Sequence, residues 1–427
     1  MKTNAEFKLI NESCKIYEHK SGIKIYVIEK PQFNTTFAAY GTRYGSIDTM
    51  FRKEDEENYT IVPEGIAHFL EHKLFENEDC DVFEKFSKLG ASDNAFTYFD
   101  RTCYYFSCTD NFDECFKILL DFVQNPYFTA ETVEKEQGII GQEISMYDDS
   151  PFWVLMFDML NALYHEHPIK INICGTKNSI AKITPELLYY CYETFYNPAN
   201  MFICVCGNVD ADNVFNLADE FLKDKLPVKV ESTTPIEPES IVKKYTENSM
   251  PISKPLAAIG FKEICEKPYM TPEESAAYDI IKSMIFDINS DFSVELLEKG
   301  LIGSTFGTDV YSGNNYCSTI IFAETDDPKQ LYDEILKKVT DLHKNGLDEK
   351  TFERVKKVAY ANIVRAYDDV ENTAMNLMIE SAVNNYGIFD LAQAYQKITF
   401  EYVCEIFSKC FNIDRCALSV INPIKED

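Results

Sequence analysis

The strongest constraint in this chain is an internal repeat. Pro63-Glu64 opens a helical pattern in the first half, and Pro272-Glu273 opens another 209 residues on. The stretch "FSKLG", ending at Gly90, is matched by "LLEKG", ending at Gly300. A helix closing on Tyr147-Asp148-Asp149 is matched by one closing on Tyr367-Asp368-Asp369, and the offset between matches drifts slowly from 209 to 220. Preserved order with a slow drift is the mark of a duplicated domain. Between the copies, "LPVKVESTTPIEPESIVKKY" has prolines and charges but no helical period, and reads as a linker. The expected organisation is residues 1–225, a linker over 226–245, and a homologous second domain over 246–427.

Each half mixes short alternating runs with helical ones. "CKIYEHKSGIKIYVIEK" reads as a hairpin turning at Ser21-Gly22, "NAFTYFDRTCYYFSCT" as a second hairpin, and "MFICVCGNVD" as a strand with a turn. Helical patterns cover "FDECFKILLDFVQNP", stopped before Pro126, and residues Glu131 to about Tyr147. Hairpins interleaved with helices point to an α+β fold, with a mostly antiparallel sheet packed by helices in each domain. A chain of 427 residues, 45% of them hydrophobic, has enough apolar side chain for two such cores.

The chemistry concentrates in "PEGIAHFLEHKLFE". At 100° per residue, His68 and His72 lie 40° apart on one helical face, with Glu71 60° to the other side of His68. Ile66, Phe69, Leu70 and Leu74 fill the opposite face. Two imidazoles one turn apart suit a shared zinc ion, and the carboxylate between them suits proton transfer at a bound water. A third protein ligand is then required, and the helix "EKEQGIIGQEISMY" offers Glu136 and Glu143, seven residues apart and so on one face. The expected assignment is Glu143 as ligand and Glu136 as a supporting carboxylate or an aid to the protonation steps.

The repeat supplies an internal control. At the offset of 209, His68, Glu71 and His72 fall on Ala277, Ile280 and Ile281. At the offset of 220, Glu136 and Glu143 fall on Lys356 and Ile363. The second copy keeps the framework and replaces all five polar residues, so packing shared by the two copies does not account for them.

With these residues in place, the chain resembles the inverzincins of the insulinase, pitrilysin and mitochondrial processing peptidase family. Their pattern is His-x-x-Glu-His followed by two glutamates seven residues apart. Here "HFLEH" supplies His68 to His72, and Glu136 and Glu143 reproduce the step, with 70 residues between His72 and Glu143, slightly fewer than in the family. "YGSID", "GASDNAFT", "HPIKINICGTKNSI" and "YNPANMFICVCGNVD" are similar to family segments in family order. The resemblance implies a zinc endopeptidase fold and a sheet edge that binds substrate backbone at Asn94 and Ala95. A plain turn role for Asn94 is the alternative.

One departure stands out. The family's second half carries a substrate-binding arginine and a tyrosine, whereas the matching segment here, "LLEKGLIGSTF", has Leu297 and Gly303 at those places. The resemblance therefore implies a two-subunit chamber in which a homologous, metal-free partner supplies the missing pair. A homodimer that uses Tyr311 instead is the alternative.

The expected function is zinc-dependent hydrolysis of short or unfolded peptides. Its rival is a catalytically inactive scaffold subunit, and a third reading is a metal hydrolase acting on something other than peptides. A net charge of −29 argues against nucleic acid and anionic membranes as partners. The 14 cysteines are scattered without a CxxC pair, the first residues are polar, and no run of about 18 apolar residues exists, so a reducing cytoplasm is the expected location.

Overall fold

The computed structural model describes residues 1–8, 10–76, 82–265 and 267–424. It divides into two compact units, each assembled from three stretches of chain: residues 1–144, 171–234 and 364–389 in the first, and 145–170, 235–363 and 390–427 in the second.

The first unit is built on a seven-stranded sheet. Its strands run, edge to edge, Lys2–Phe7, Glu12–Glu18, Lys24–Glu29, Met201–Gly207, Thr36–Thr42, Thr102–Cys108 and Ser92–Thr97. All neighbours are antiparallel except Lys24–Glu29 and Met201–Gly207, which are parallel. Both central strands, Thr36–Thr42 and Met201–Gly207, are buried along their whole length, as strands covered on two faces must be. The helix Phe112–Gln124 buries Cys115, Phe116, Leu119, Leu120, Phe122 and Val123, an apolar stripe at helical spacing, and packs on this sheet. A small sheet of Val230–Ser232, Met50–Lys53 and Thr60–Ile61 completes the unit, so part of the stretch read as a linker is a strand.

The second unit has a five-stranded sheet ordered Tyr245–Met250, Cys416–Pro423, Leu256–Lys262, Tyr316–Glu324 and Gly307–Gly313. Here too the only parallel pair is the first, Tyr245–Met250 with Cys416–Pro423. Strand for strand, this order and these directions repeat the last five strands of the first unit's sheet. The duplication expected from the sequence thus reaches the topology, and the α+β architecture is as expected.

The units differ from the linear division at one kind of helix. Pro151–Leu163, from the first half of the sequence, packs on strands Leu256–Lys262 and Cys416–Pro423 of the second unit. Val370–Leu377, from the second half, packs on Met201–Gly207 and Thr36–Thr42 of the first. Each copy thus lends the same helix to the other copy's sheet.

Candidate metal centre

The site lies within the first unit, on the helix Ile66–Leu74. Its entry is fixed by two glycines that face each other. Gly65 has φ +87°, and an added Cβ would stand 2.4 Å from the Cys174 carbonyl oxygen; Gly175 has φ +70°, and its Cβ would stand 2.4 Å from the Glu64 carbonyl oxygen. No larger residue fits either place. The Ser179 hydroxyl ties the same junction by donating to the Glu64 carbonyl at 2.8 Å. The segment around Cys174 therefore clamps the start of the helix that carries both histidines.

From this helix, His68 and His72 point the same way, ring centroids 4.5 Å apart. Glu143, on the helix Ala130–Asp148, meets both: His68 Nε2 lies 3.6 Å from its Oε1, and His72 Nε2 3.5 Å from its Oε2. These three side chains offer ligand atoms that all lie within 4.8 Å of one another. The separations exceed ordinary hydrogen bonds, yet match donors sharing one ion, since tetrahedral ligands about 2.0–2.1 Å from zinc stand roughly 3.4 Å apart. The donor set therefore fits a zinc ion.

Glu136 lies one face-repeat earlier on the same helix and is buried, with 7% of its surface exposed. Its Oε1 is 3.0 Å from His72 Nδ1. A carboxylate accepts from Nδ1–H and leaves the Nε2 lone pair for Glu143's side of the ring, as in carboxylate–histidine–metal triads. Burial pulls the His72 pKa down, but the Glu136 hydrogen bond and the charges of Glu71, Glu136 and Glu143 outweigh it, so the net shift is upward. His68 behaves oppositely. Burial, helped by the charge of His72, lowers its pKa to about 3, which keeps it a neutral imidazole. A neutral ring is the ligand form.

Glu71 is buried beside this group, and burial raises its pKa to about 7 despite the opposing effects of His72 and Thr97. The Thr97 hydroxyl donates to Glu71 Oε2 at 2.7 Å. A buried carboxyl poised near neutrality can both accept and return a proton. Thr97 ends the strand Ser92–Thr97, the open edge of the seven-stranded sheet. Asn94 and Ala95 lie on that strand; Asn94 is exposed, and its Oδ1 accepts from the Ala95 N–H at 2.9 Å.

The structure thus brings His68, His72, Glu143, Glu136 and Glu71 together and puts Asn94 and Ala95 on the neighbouring edge strand. Two residues of the site escaped sequence reasoning. Thr97 is an ordinary threonine at the end of "GASDNAFT", and Cys174, whose Sγ lies 3.9 Å from His68 Nε2, sits within "HPIKINICGTKNSI" with no spacing that marks it. The second unit shows the contrast: Ala277, Ile280 and Ile281, the counterparts of the helix residues, are wholly buried in its apolar core. Leu297 is half exposed on the helix Asp291–Glu298, and the Tyr311 hydroxyl is 3.0 Å from Met156 Sδ.

Comparison with known proteins agrees with this geometry. The family model for insulinase, peptidase family M16, matches residues 52–177, and the model for the M16 inactive domain matches residues 182–358. The chain is 37% identical over 98% of both chains to a Bacillus subtilis protein named as an uncharacterized zinc protease, YmfH. A solved M16-like peptidase from Alicyclobacillus acidocaldarius is 32% identical, covers 97% of this chain and 99% of its own, and superposes with a TM-score of 0.93. A protease from Helicobacter pylori, 18% identical over 96% of this chain and 99% of its own, shares the fold with a TM-score of 0.80. A His-His-Glu group on a duplicated α+β frame, with a relative 37% identical over 98% of both chains, places this chain in peptidase family M16.

Proposed function

We propose that the chain is a zinc-dependent endopeptidase acting on short or unfolded peptides, with His68, His72 and Glu143 as the residues that would hold the metal. The observation that carries this reading is the convergence of those three side chains beside the buried carboxyl of Glu71. When bound, zinc supplies Lewis acidity for the scissile carbonyl and for the attacking water. Glu71 takes the water's proton on a carboxylate oxygen and returns it to the departing amine nitrogen. Thr97 holds Oε2 of that carboxylate, leaving Oε1 as the oxygen that exchanges the proton. Glu136 fixes the His72 ring and its tautomer.

The edge strand Ser92–Thr97 suits a peptide added alongside it, because its outer side is unpaired in the sheet order. Asn94 would have to turn its side chain from the Ala95 N–H to admit a partner strand. Specificity by strand addition favours flexible substrates, since a folded protein offers no free strand.

The two places themselves, Leu297 and Gly303, offer neither a cation nor a phenol to grip substrate, and the nearby Lys299 is paired with Glu334 at 3.0 Å. We infer that a homologous subunit without the metal motif supplies the cation and the phenol. Cleavage of an unstructured peptide by the purified chain, alone and together with such a subunit, tests this. Stimulation by the partner is expected, and full activity of the chain alone removes the partner from the account. Among the described residues no helix is long and apolar enough to cross a membrane.

A further inference from the structure

The second unit contains a cavity of about 370 Å³ that belongs to none of the chemistry above. That volume is within the roughly 300–1,000 Å³ of small-molecule sites. The duplication shows why it is there. Aligning "AAYG" (Ala38 to Gly41) with "AAIG" (Ala257 to Gly260) puts Tyr44 on Glu263; sheet register pairs Ala38 with Val205 and Ala257 with Val420, so Phe195 then falls on Cys410 and Asn200 on Arg415. A shared hydrogen bond supports the match: Asn200 Nδ2 donates to the Arg43 carbonyl, and Arg415 Nε to the equivalent Lys262 carbonyl, each at 3.0 Å. In the first unit, Tyr44 and Phe195 stack with centroids 4.0 Å apart and fill this place. In the second unit, Glu263 and Cys410 stand there instead and line the cavity.

A carboxylate is an odd replacement for a core aromatic unless something meets it. Glu263 is only 8% exposed. Its Oε1 is satisfied, accepting from the Tyr278 hydroxyl and the Phe411 N–H, each at 2.9 Å. Its Oε2 is buried with no hydrogen-bond partner among the described residues, and Arg415 Nη2 is 4.0 Å away, beyond hydrogen-bond reach. A buried acceptor left unbonded is costly, so a donor from a ligand is its natural complement. Acid and base thus stand side by side at the wall, while Met270 and Ile406 offer apolar surface.

We propose that this cavity binds a free apolar α-amino acid, its ammonium on the Glu263 carboxylate, which turns Oε2 out of its buried position to meet it, its carboxylate on Arg415 and its side chain against Met270 and Ile406. The adjacent charges of a zwitterion match the adjacent, opposite charges of the wall. An N-blocked or esterified amino acid keeps the shape but loses one of the two ends.

Isothermal titration of the full chain with L-leucine, L-methionine and L-phenylalanine tests this, with N-acetyl-L-leucine and L-leucine methyl ester as controls. At least one free amino acid should bind, and both blocked forms of leucine should fail wherever leucine binds. Arg415→Met and Glu263→Gln should each weaken binding about tenfold or more, the loss expected for a charged hydrogen bond. The double variant Glu263→Tyr with Cys410→Phe rebuilds the first unit's stack, and should abolish binding while retaining the wild-type circular dichroism spectrum. Absence of binding by all three amino acids overturns the proposal. So does equal binding of the blocked forms by wild type, a result that needs no variant to fold.

Discussion

Replacing Thr97 by valine removes one hydroxyl and leaves the side-chain shape intact, so it isolates what that hydroxyl does for Glu71. The Thr97 Oγ1 is 2.7 Å from Glu71 Oε2 and 3.3 Å from Thr102 Oγ1, while Thr102 Oγ1 is 2.9 Å from the Tyr44 carbonyl oxygen. Each hydroxyl has a single proton, and the two short contacts claim them: Thr102 donates to Tyr44 and Thr97 to Glu71. Thr97 therefore stabilises the ionised carboxylate and holds its pKa below the value burial alone would set. A hydrogen bond to a charged group contributes about 1.5–3 kcal/mol, equivalent to roughly one to two pKa units. In Thr97→Val, the acidic limb of the pH profile of kcat/KM should move up by about that much. The plateau rate should change only a few-fold, and Thr97→Ser should restore the original limb. Initial rates on an internally quenched peptide across the pH range, with zinc in excess, give the measurement. An unmoved limb would refute the reasoning, because it would assign that ionisation to a group Thr97 does not touch.

Other consequences follow from the same contacts. Burial lifts the Glu71 pKa from 4.5 to about 7, so the folded metal-free protein keeps a proton that the unfolded chain releases between those values. Its stabilising share is full below pH 4.5 and lost as pH rises through 7; metal-free Glu71→Gln should therefore gain on wild type by about 3 kcal/mol between these limits in urea unfolding. A difference independent of pH would contradict this. Glu136→Gln should weaken zinc binding about 10–100-fold in a chelator competition, since His72 loses its carboxylate support; unchanged affinity would show that the 3.0 Å contact does not tune the ligand. Gly65→Ala should lower the melting temperature by several degrees, because its Cβ meets the Cys174 carbonyl at 2.4 Å with φ at +87°.

Much of the site was legible because helices have a strict period. His68, Glu71 and His72 are three and four residues apart, and Glu136 and Glu143 seven, so a sequence alone places each set on one face. Contact between the two sets was an inference from motif and from the repeat; the 3.5 and 3.6 Å approaches to Glu143 are new information. Thr97 was illegible as a positioning group because a threonine ending a strand is ordinary, and only the fold brings it to Glu71. The exchange of Pro151–Leu163 and Val370–Leu377 was hidden for a similar reason. An apolar helix face needs a sheet, but its sequence does not say which one. The cavity was equally invisible, since Glu263 and Cys410 acquire meaning only when register aligns them with Tyr44 and Phe195.

The central claim is that His68, His72 and Glu143 hold zinc while Glu71 moves the proton. Its most direct test is zinc content and peptide cleavage measured together on wild type and Glu71→Gln, each with any partner that supports activity. The account predicts equimolar zinc in both proteins and cleavage by the wild type only. Equal cleavage by both, or full cleavage by a wild-type preparation without bound metal, would contradict it.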